Sequence, residues 1–288
     1  MAESKIPVDL FNPGQVFACL GFMEVAEVLL GDAEAGFDWS DPKQAHFCLK
    51  AQGNEISVEA VLGYLASAVV ERITPVGYVD PPRKKADADD ADALSLPVRL
   101  SVADKPSVEL GHWADGSNRN TFKLYSGNRS GERIARAMLT GTREKPKKGH
   151  IKYKGIAQLW QESKADLAVK PFDVLTPLGG SFNFDPRGAW TALDAGYSPN
   201  TQKHGVAASP LVHLLAACGL EHTRPVEFGV RQVRYCAWSG LLPVSLARVA
   251  FQGGISSLPT RYFHFELALS GKNKIVTFAQ QENTHEHR

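Results

Sequence analysis

The sequence predicts an α+β fold: antiparallel sheets with several covering helices, with room for two subdomains. Three observations predict it. A few apolar runs with helical recurrence stand behind good N-cap residues. Short strand-like runs separated by turn residues outnumber them. No regular strand–helix–strand alternation supports a doubly wound parallel sheet.

In chain order, a helix is expected to begin near Asn12, a good N-cap, with Pro13 in the first helical position. The run "GQVFACLGFMEVAEVLL" carries Val16, Leu20, Met23 and Val28 with helical recurrence. "GFDW" and "AHFCLKA" read as a strand pair, and a second amphipathic helix is expected from about Ser57 to Ile73. Residues 81–97 ("PPRKKADADDADALSLP") combine prolines, a basic triplet and four aspartates; such a segment cannot pack a core and reads as a solvated, flexible loop. "LPVRLS" and "SVELGHW" read as strands, and Lys123–Tyr125 as a short strand-like piece that runs through Ser-Gly-Asn into a helix. "TREKPKKGHIKYK" reads as a loop because of its Pro and Gly. "SFNFDPRGAWTALDAGYSPN" is extended and turn-rich. "SPLVHLLAACGL" is another capped helix, with Ser209 as cap and Pro210 first; its apolar run reaches a glycine, as the first helix does. "FGVRQVRYCAW", "RYFHFELAL" and "KIVTFAQ" are strand-like. The expected division is 1–80, an acidic loop at 81–97, a central part at 98–180 with a basic loop, a C-terminal part at 181–280, and a tail at 281–288.

The chain has 288 residues, 43% hydrophobic and 22% charged, enough for one large or two modest domains with a proper core. A net charge of +1 excludes a general polycation, so any affinity for nucleic acid must come from local patches. The N-terminus lacks a basic-then-apolar signal, and no run of about 18 uninterrupted apolar residues occurs; a cytoplasmic, non-membrane protein is expected. Cys19, Cys48, Cys218 and Cys236 show no metal-ligand or disulfide spacing and are expected to be reduced core residues.

Catalytic motifs are absent: no P-loop, GxSxG, HExxH or dinucleotide fingerprint. Asp185 before Pro186 reads as a turn former, and His285 and His287 as part of a frayed tail. His204, His213 and His264 fall on a loop, a helix and a strand, and no Ser or Cys pairs with them in the sequence. No enzyme activity, cofactor or metal is expected. The alternative enzyme reading is a metal-dependent nuclease using Asp38, Asp115 or Asp185.

Nucleic-acid chemistry is better represented. Arg129, Arg133 and Arg136 fall at i, i+4 and i+7, which puts them on one helix face while Ile134, Met138 and Leu139 turn inward. Ser126 and Asn128 lead into that helix start, where free N–H groups can hold a phosphate oxygen. Arg143, Lys145, Lys147, Lys148, Lys152 and Lys154 crowd the next segment, each able to release counterions from a phosphate backbone. Asn118, Arg119, Asn120 and Lys123 lie on an expected hairpin, and Asn and Arg are the side chains that reach base edges bidentately.

Several blocks together resemble a known family. "FNPGQVFACLGFMEVAEVLLG" followed by "FDW" is similar to its N-terminal signature, "LGHWADGSNRNTFKLYSGNRSGERIARAM" to its central block, and "FNFDPRGAWTALDAGYSPN" with "SPLVHLLAACGLEHTRPV" to its third. On these blocks, spanning about residues 7–240, the chain resembles the small, divergent large-subunit family of the subtype I-U (also called I-G) CRISPR interference complex, Cascade. It departs over 81–97 and the tail, and carries Tyr125 where the family usually has Trp. The resemblance implies a non-catalytic subunit of an RNA-guided ribonucleoprotein whose partners are target double-stranded DNA, the guide-RNA ribonucleoprotein, other Cascade subunits and the helicase–nuclease. Its implied work is recognition of the protospacer-adjacent motif (PAM), R-loop stabilisation and effector docking. A guide-RNA-binding backbone subunit with ferredoxin-like folds and a scaffold that touches only protein are the competing readings.

Overall fold

The structure, a computed structural model, describes residues 2–79, 96–114, 122–125, 129–145, 148–188, 207–270 and 273–282. Its architecture is α+β. Six α-helices among the described residues cover antiparallel sheets, and one hydrophobic cluster runs from Ile6 to Ala279.

Helix α1 (Pro13–Leu30) starts as its sequence dictates. The Asn12 side chain accepts from the Gln15 N–H, and Pro13 fills the first turn, where no N–H is needed. Residues 13–26 are buried all round, so α1 is a core helix rather than a surface one; Val28, expected inside, is exposed. By length and apolar content α1 alone among the described residues is able to cross a membrane, with a mean hydropathy of 1.4, and its central place in the core accounts for that composition. Helix α5 (Pro210–His222) is built the same way, with the Ser209 hydroxyl accepting from the Val212 N–H. The two helices touch at the glycines their apolar runs reach. A Cβ on Gly21 would stand 1.9 Å from the Leu215 carbonyl oxygen, and one on Gly219 would stand 2.3 Å from that of Phe17. Only glycine permits this backbone approach.

One sheet is built from β1 (Ala2–Val8), β2 (Glu34–Asp38), β3 (Ala45–Ala51) and β13 (Leu242–Pro243), in the order β1-β3-β2-β13; the expected pairing of "GFDW" with "AHFCLKA" is observed. A second joins β11 (Val226–Gly229), β12 (Gln232–Trp238), β14 (Thr260–Ser270) and β15 (Asn273–Val276), with β16 (Gln280–Gln281) also on β14. Alternation in β12 and β14 turns Val233, Tyr235, Phe263 and Phe265 inward, where Tyr235 stacks on Phe263 at 5.4 Å and donates to the Leu10 carbonyl at 2.6 Å. A third sheet is β4 (Val69–Arg72), β5 (Val98–Ser101) and β6 (Val108–Leu110). Two short strands, β9 (Thr176–Pro177) and β10 (Ala207–Ala208), pair with each other ahead of α5.

Three expectations are corrected. The second helix, α2 (Ser57–Ser67), stops six residues early, because Val69 and Val70 are β-branched and leave the helix to pair with β5 as β4. The basic "loop" is a hairpin of β7 (Thr142–Lys145) and β8 (Lys148–Tyr153), whose cross-strand pairing, Thr142 with Tyr153 and Lys145 with Lys148, overrides the local turn signals. Lys123–Tyr125 forms no strand, although the Leu124 carbonyl accepts from the Lys274 N–H at 3.1 Å and so borders β15. The acidic loop, apart from Leu96 and Pro97, lies outside the described residues, as do Asp115, His204, His285 and His287. Cys19, Cys218 and Cys236 are buried, Cys48 is half-buried, and all four are free thiols.

Candidate nucleic-acid interface

Helix α3 (Gly131–Thr140) presents two contrasting faces. Ile134, Ala135, Met138 and Leu139 are buried, whereas Arg133, Arg136 and Thr140 are exposed. The inward face and the outward arginines are as the spacing predicts. The start differs. Ser130 is the N-cap, its hydroxyl accepting from the Arg133 N–H at 3.2 Å, so Arg129 stands just before the helix rather than in its first turn. Ser130 thereby satisfies one of the N–H donors expected to be open to a phosphate. Gly131 lets the helix start press on Trp113, since a Cβ there would meet the indole at 2.4 Å.

The three arginines are not equivalent. Among the described residues no carboxylate pairs with Arg129 or Arg133; the Arg129 guanidinium lies alongside Gly180. Arg136, by contrast, donates to Glu132 at 2.8 Å and to the Val70 carbonyl at 3.1 Å. Glu132 also receives Arg72 from β4 at 3.1 Å. One carboxylate on α3 therefore bridges two guanidiniums, and it helps to dock the helix on the β4 sheet.

The β7–β8 hairpin follows α3 directly and returns into α4 (Ile156–Val169). Its base is fixed by two glycines. Gly141 takes φ of 73°, and a Cβ on Gly155 would lie 2.3 Å from the Gly141 nitrogen, so the two ends of the hairpin meet backbone to backbone. The Gln158 side chain accepts from the Gly155 N–H at 2.8 Å and closes the start of α4. On the hairpin Arg143, His150, Ile151 and Lys152 are exposed, and Lys152 lies 5.2 Å from the Tyr153 ring. Lys154 is ion-paired with Glu162 on α4. Lys123 sits 5.9 Å from the Tyr125 ring. Asn118, Arg119, Asn120, Ser126, Asn128 and Lys147 lie outside the described residues; Lys145 and Lys148 are placed on β7 and β8 by backbone alone.

Two of the three acids of the nuclease reading are ion-paired, and the third, Asp115, lies outside the described residues. Asp38 is ion-paired with Lys5 at 2.6 Å, and that lysine holds its carboxyl well below the usual range. Asp185 is fully buried. Burial alone would raise its pKa, but the Arg187 guanidinium, at 2.7 Å, outweighs this and keeps it low. Asp185 also accepts from Asn12 at 3.3 Å and from the Ser209 N–H at 3.5 Å, the N-cap residues of α1 and α5. Its partner Arg187 donates from its own N–H at 3.1 Å, and the Asp185 carbonyl accepts from Gly188, so Asp185 is the turn former expected and also a tie between two helix starts.

Sequence reasoning missed a serine–histidine contact. The His213 Nε2 lies 3.1 Å from the Ser181 hydroxyl, and its Nδ1 accepts from the Phe184 N–H at 3.2 Å. Nδ1 is therefore unprotonated in the neutral ring, and Nε2–H donates to Ser181, opposite to the polarity with which a histidine base activates a serine. Burial pushes His213 down to about 4. Also missed was Glu221 at the end of α5, which accepts from the Gly111 and His112 N–H groups at 2.6 and 2.7 Å and thus seats the segment that carries Trp113 under α3. Both contacts join residues 32 or more apart in the chain, and no local spacing signals them. No protein-family model, curated protein or solved structure matches this chain.

Proposed function

We propose that this chain is a non-catalytic, cytoplasmic subunit of an RNA-guided CRISPR surveillance complex, of the small, divergent large-subunit family of subtype I-U (I-G) Cascade. It binds target duplex DNA next to the guide-RNA ribonucleoprotein, helps recognise the protospacer-adjacent motif, steadies the R-loop and supports docking of the helicase–nuclease. The observation that carries the nucleic-acid part of this reading is the exposed pair of Arg129, just before a helix, and Arg133, in its first turn; that helix runs straight into a cation-bearing hairpin with a glycine-fixed base. Exposed cationic side chains such as Arg129, Arg133, Arg143 and Lys152 suit a phosphate backbone, and base pairing by the guide leaves only backbone and a few flanking base pairs for protein to read. The family part rests on the sequence resemblance.

With few phosphate contacts and a net charge of +1, the isolated chain binds duplex weakly, with Kd of about 1–100 µM at physiological salt. The test is target binding by the guide-RNA complex assembled with and without this chain, on duplexes differing only in the base pairs flanking the protospacer. Discrimination between flanks that depends on the chain supports motif recognition. Equal tightening on every flank makes the chain a backbone clamp, and no change removes the proposal.

A further inference from the structure

Glu132 occupies an unusual place on the cationic surface. It is the second residue of α3, where a negative charge meets the positive end of the helix dipole. Its two oxygens are divided between Arg136 at 2.8 Å and Arg72 at 3.1 Å. A helix start flanked by two guanidiniums is the arrangement that binds a phosphate, and here a side-chain carboxylate of the same chain fills it. Solvent reaches the Arg136 side of this cluster, since its side chain is 55% exposed, whereas Glu132 is 23% exposed; besides Glu132, Arg136 is held by the Val70 carbonyl.

We propose that Glu132 is an internal phosphate mimic: it holds Arg136, with Arg72 behind it, away from nucleic acid in the free protein, and a backbone phosphate competes with it for these guanidiniums. This rests on the nucleic-acid reading above. Arg129 and Arg133 make the first contact because no described carboxylate holds them, and Arg136 joins only when Glu132 is displaced.

The test measures binding of the full chain to a short DNA duplex across a salt series. Glu132→Gln is expected to tighten binding about eight-fold at 0.1 M salt and to steepen the log–log slope by about 0.9, the contribution of one more neutralised phosphate. Glu132→Asp keeps the charge at the helix start but withdraws it from the guanidiniums, so it tightens binding to a lesser degree. Arg136→Gln is expected to abolish the gain in the Glu132→Gln background and to change little in the native one. Unchanged or weaker binding by both folded Glu132 variants overturns the inference, as does an equal loss from Arg136→Gln in both backgrounds. Charge reversal at Arg129 and Arg133 separates the two claims: if it weakens binding while the Glu132 variants do nothing, the mimic fails and the interface stands; if it too does nothing, the interface itself fails.

Discussion

Asp185 and Arg187 meet at 2.7 Å, Glu132 and Arg136 at 2.8 Å, yet the two pairs do different work. The Asp185 carboxylate is wholly buried and further held by Asn12 and the Ser209 N–H, so it joins the starts of the two core helices. Glu132 is partly exposed and shares its oxygens between the exposed Arg136 and the partly buried Arg72. Identical charges at nearly identical separation both join elements of the fold, but one pair does so out of water and the other partly within its reach, and desolvation makes the difference. Removing one partner of a buried pair strands the other, whereas water compensates either member of an exposed pair.

The largest expected effect breaks or keeps that contrast. Asp185→Ala should lower stability by about 3–5 kcal/mol in denaturant unfolding, because Arg187 and two helix starts lose their common acceptor. Glu132→Gln should cost under about 1 kcal/mol. Equal losses would mean that burial does not separate the pairs.

Acid sharpens the comparison at the buried node. Burial pushes His213 down to about 4 and, with Arg224 adding to the effect, His112 to about 3, against an ordinary value near 6.5. The folded form therefore binds fewer protons than the unfolded one. Stability from these rings is fully present above about pH 6.5 and is lost as pH falls towards 4 for His213 and 3 for His112, by up to about 3 kcal/mol for His213. The lowered Asp185 adds a loss only below the ordinary carboxylate range. Unfolding measured from pH 7 to pH 4 should show this slope, and His213→Gln should reduce it to the part that His112 contributes.

Smaller effects probe how α3 is seated. Gly131→Ala places a methyl against Trp113 and should cost about 1–3 kcal/mol, read as a lowered Tm. Ser130→Ala removes the cap and should cost about 1 kcal/mol. The smallest change in stability belongs to Arg129→Glu and Arg133→Glu, within about 0.5 kcal/mol, since neither side chain holds a described carboxylate.

The same contrast explains what is legible in the sequence. Caps act locally, so Asn12-Pro13 and Ser209-Pro210 announce two helices, and Ile134, Met138 and Leu139 announce the inward face of α3. Arg133 and Arg136 on the outer face are legible for the same reason, though Arg129, read as part of that face, falls before the helix; the strand pair 34–38 and 45–51 is legible too. What a charge does once placed is not local. Nothing in the spacing tells that Asp185 reaches Asn12 across 173 residues, or that Glu132 takes Arg72 as well as its i+4 neighbour. Secondary structure is misread where tertiary pairing overrides composition: Val69–Arg72 leaves a helical pattern for a strand partner at 98–101, and Thr142–Tyr153 closes into a hairpin despite its proline and glycine. The His213–Ser181 contact looks catalytic by residue type alone, and only the hydrogen bond from the Phe184 N–H fixes the ring's tautomer and shows it to be a donor.

The most direct measurement of the central claim, that Arg129 and Arg133 at the start of α3 meet a phosphate backbone, is duplex affinity of the native chain and of the Arg129→Glu/Arg133→Glu variant across a salt series. The account predicts weaker binding to every sequence and a log–log slope shallower by about 0.9 for each phosphate no longer neutralised, with the fold intact. Unchanged affinity and slope in the folded variant would contradict it.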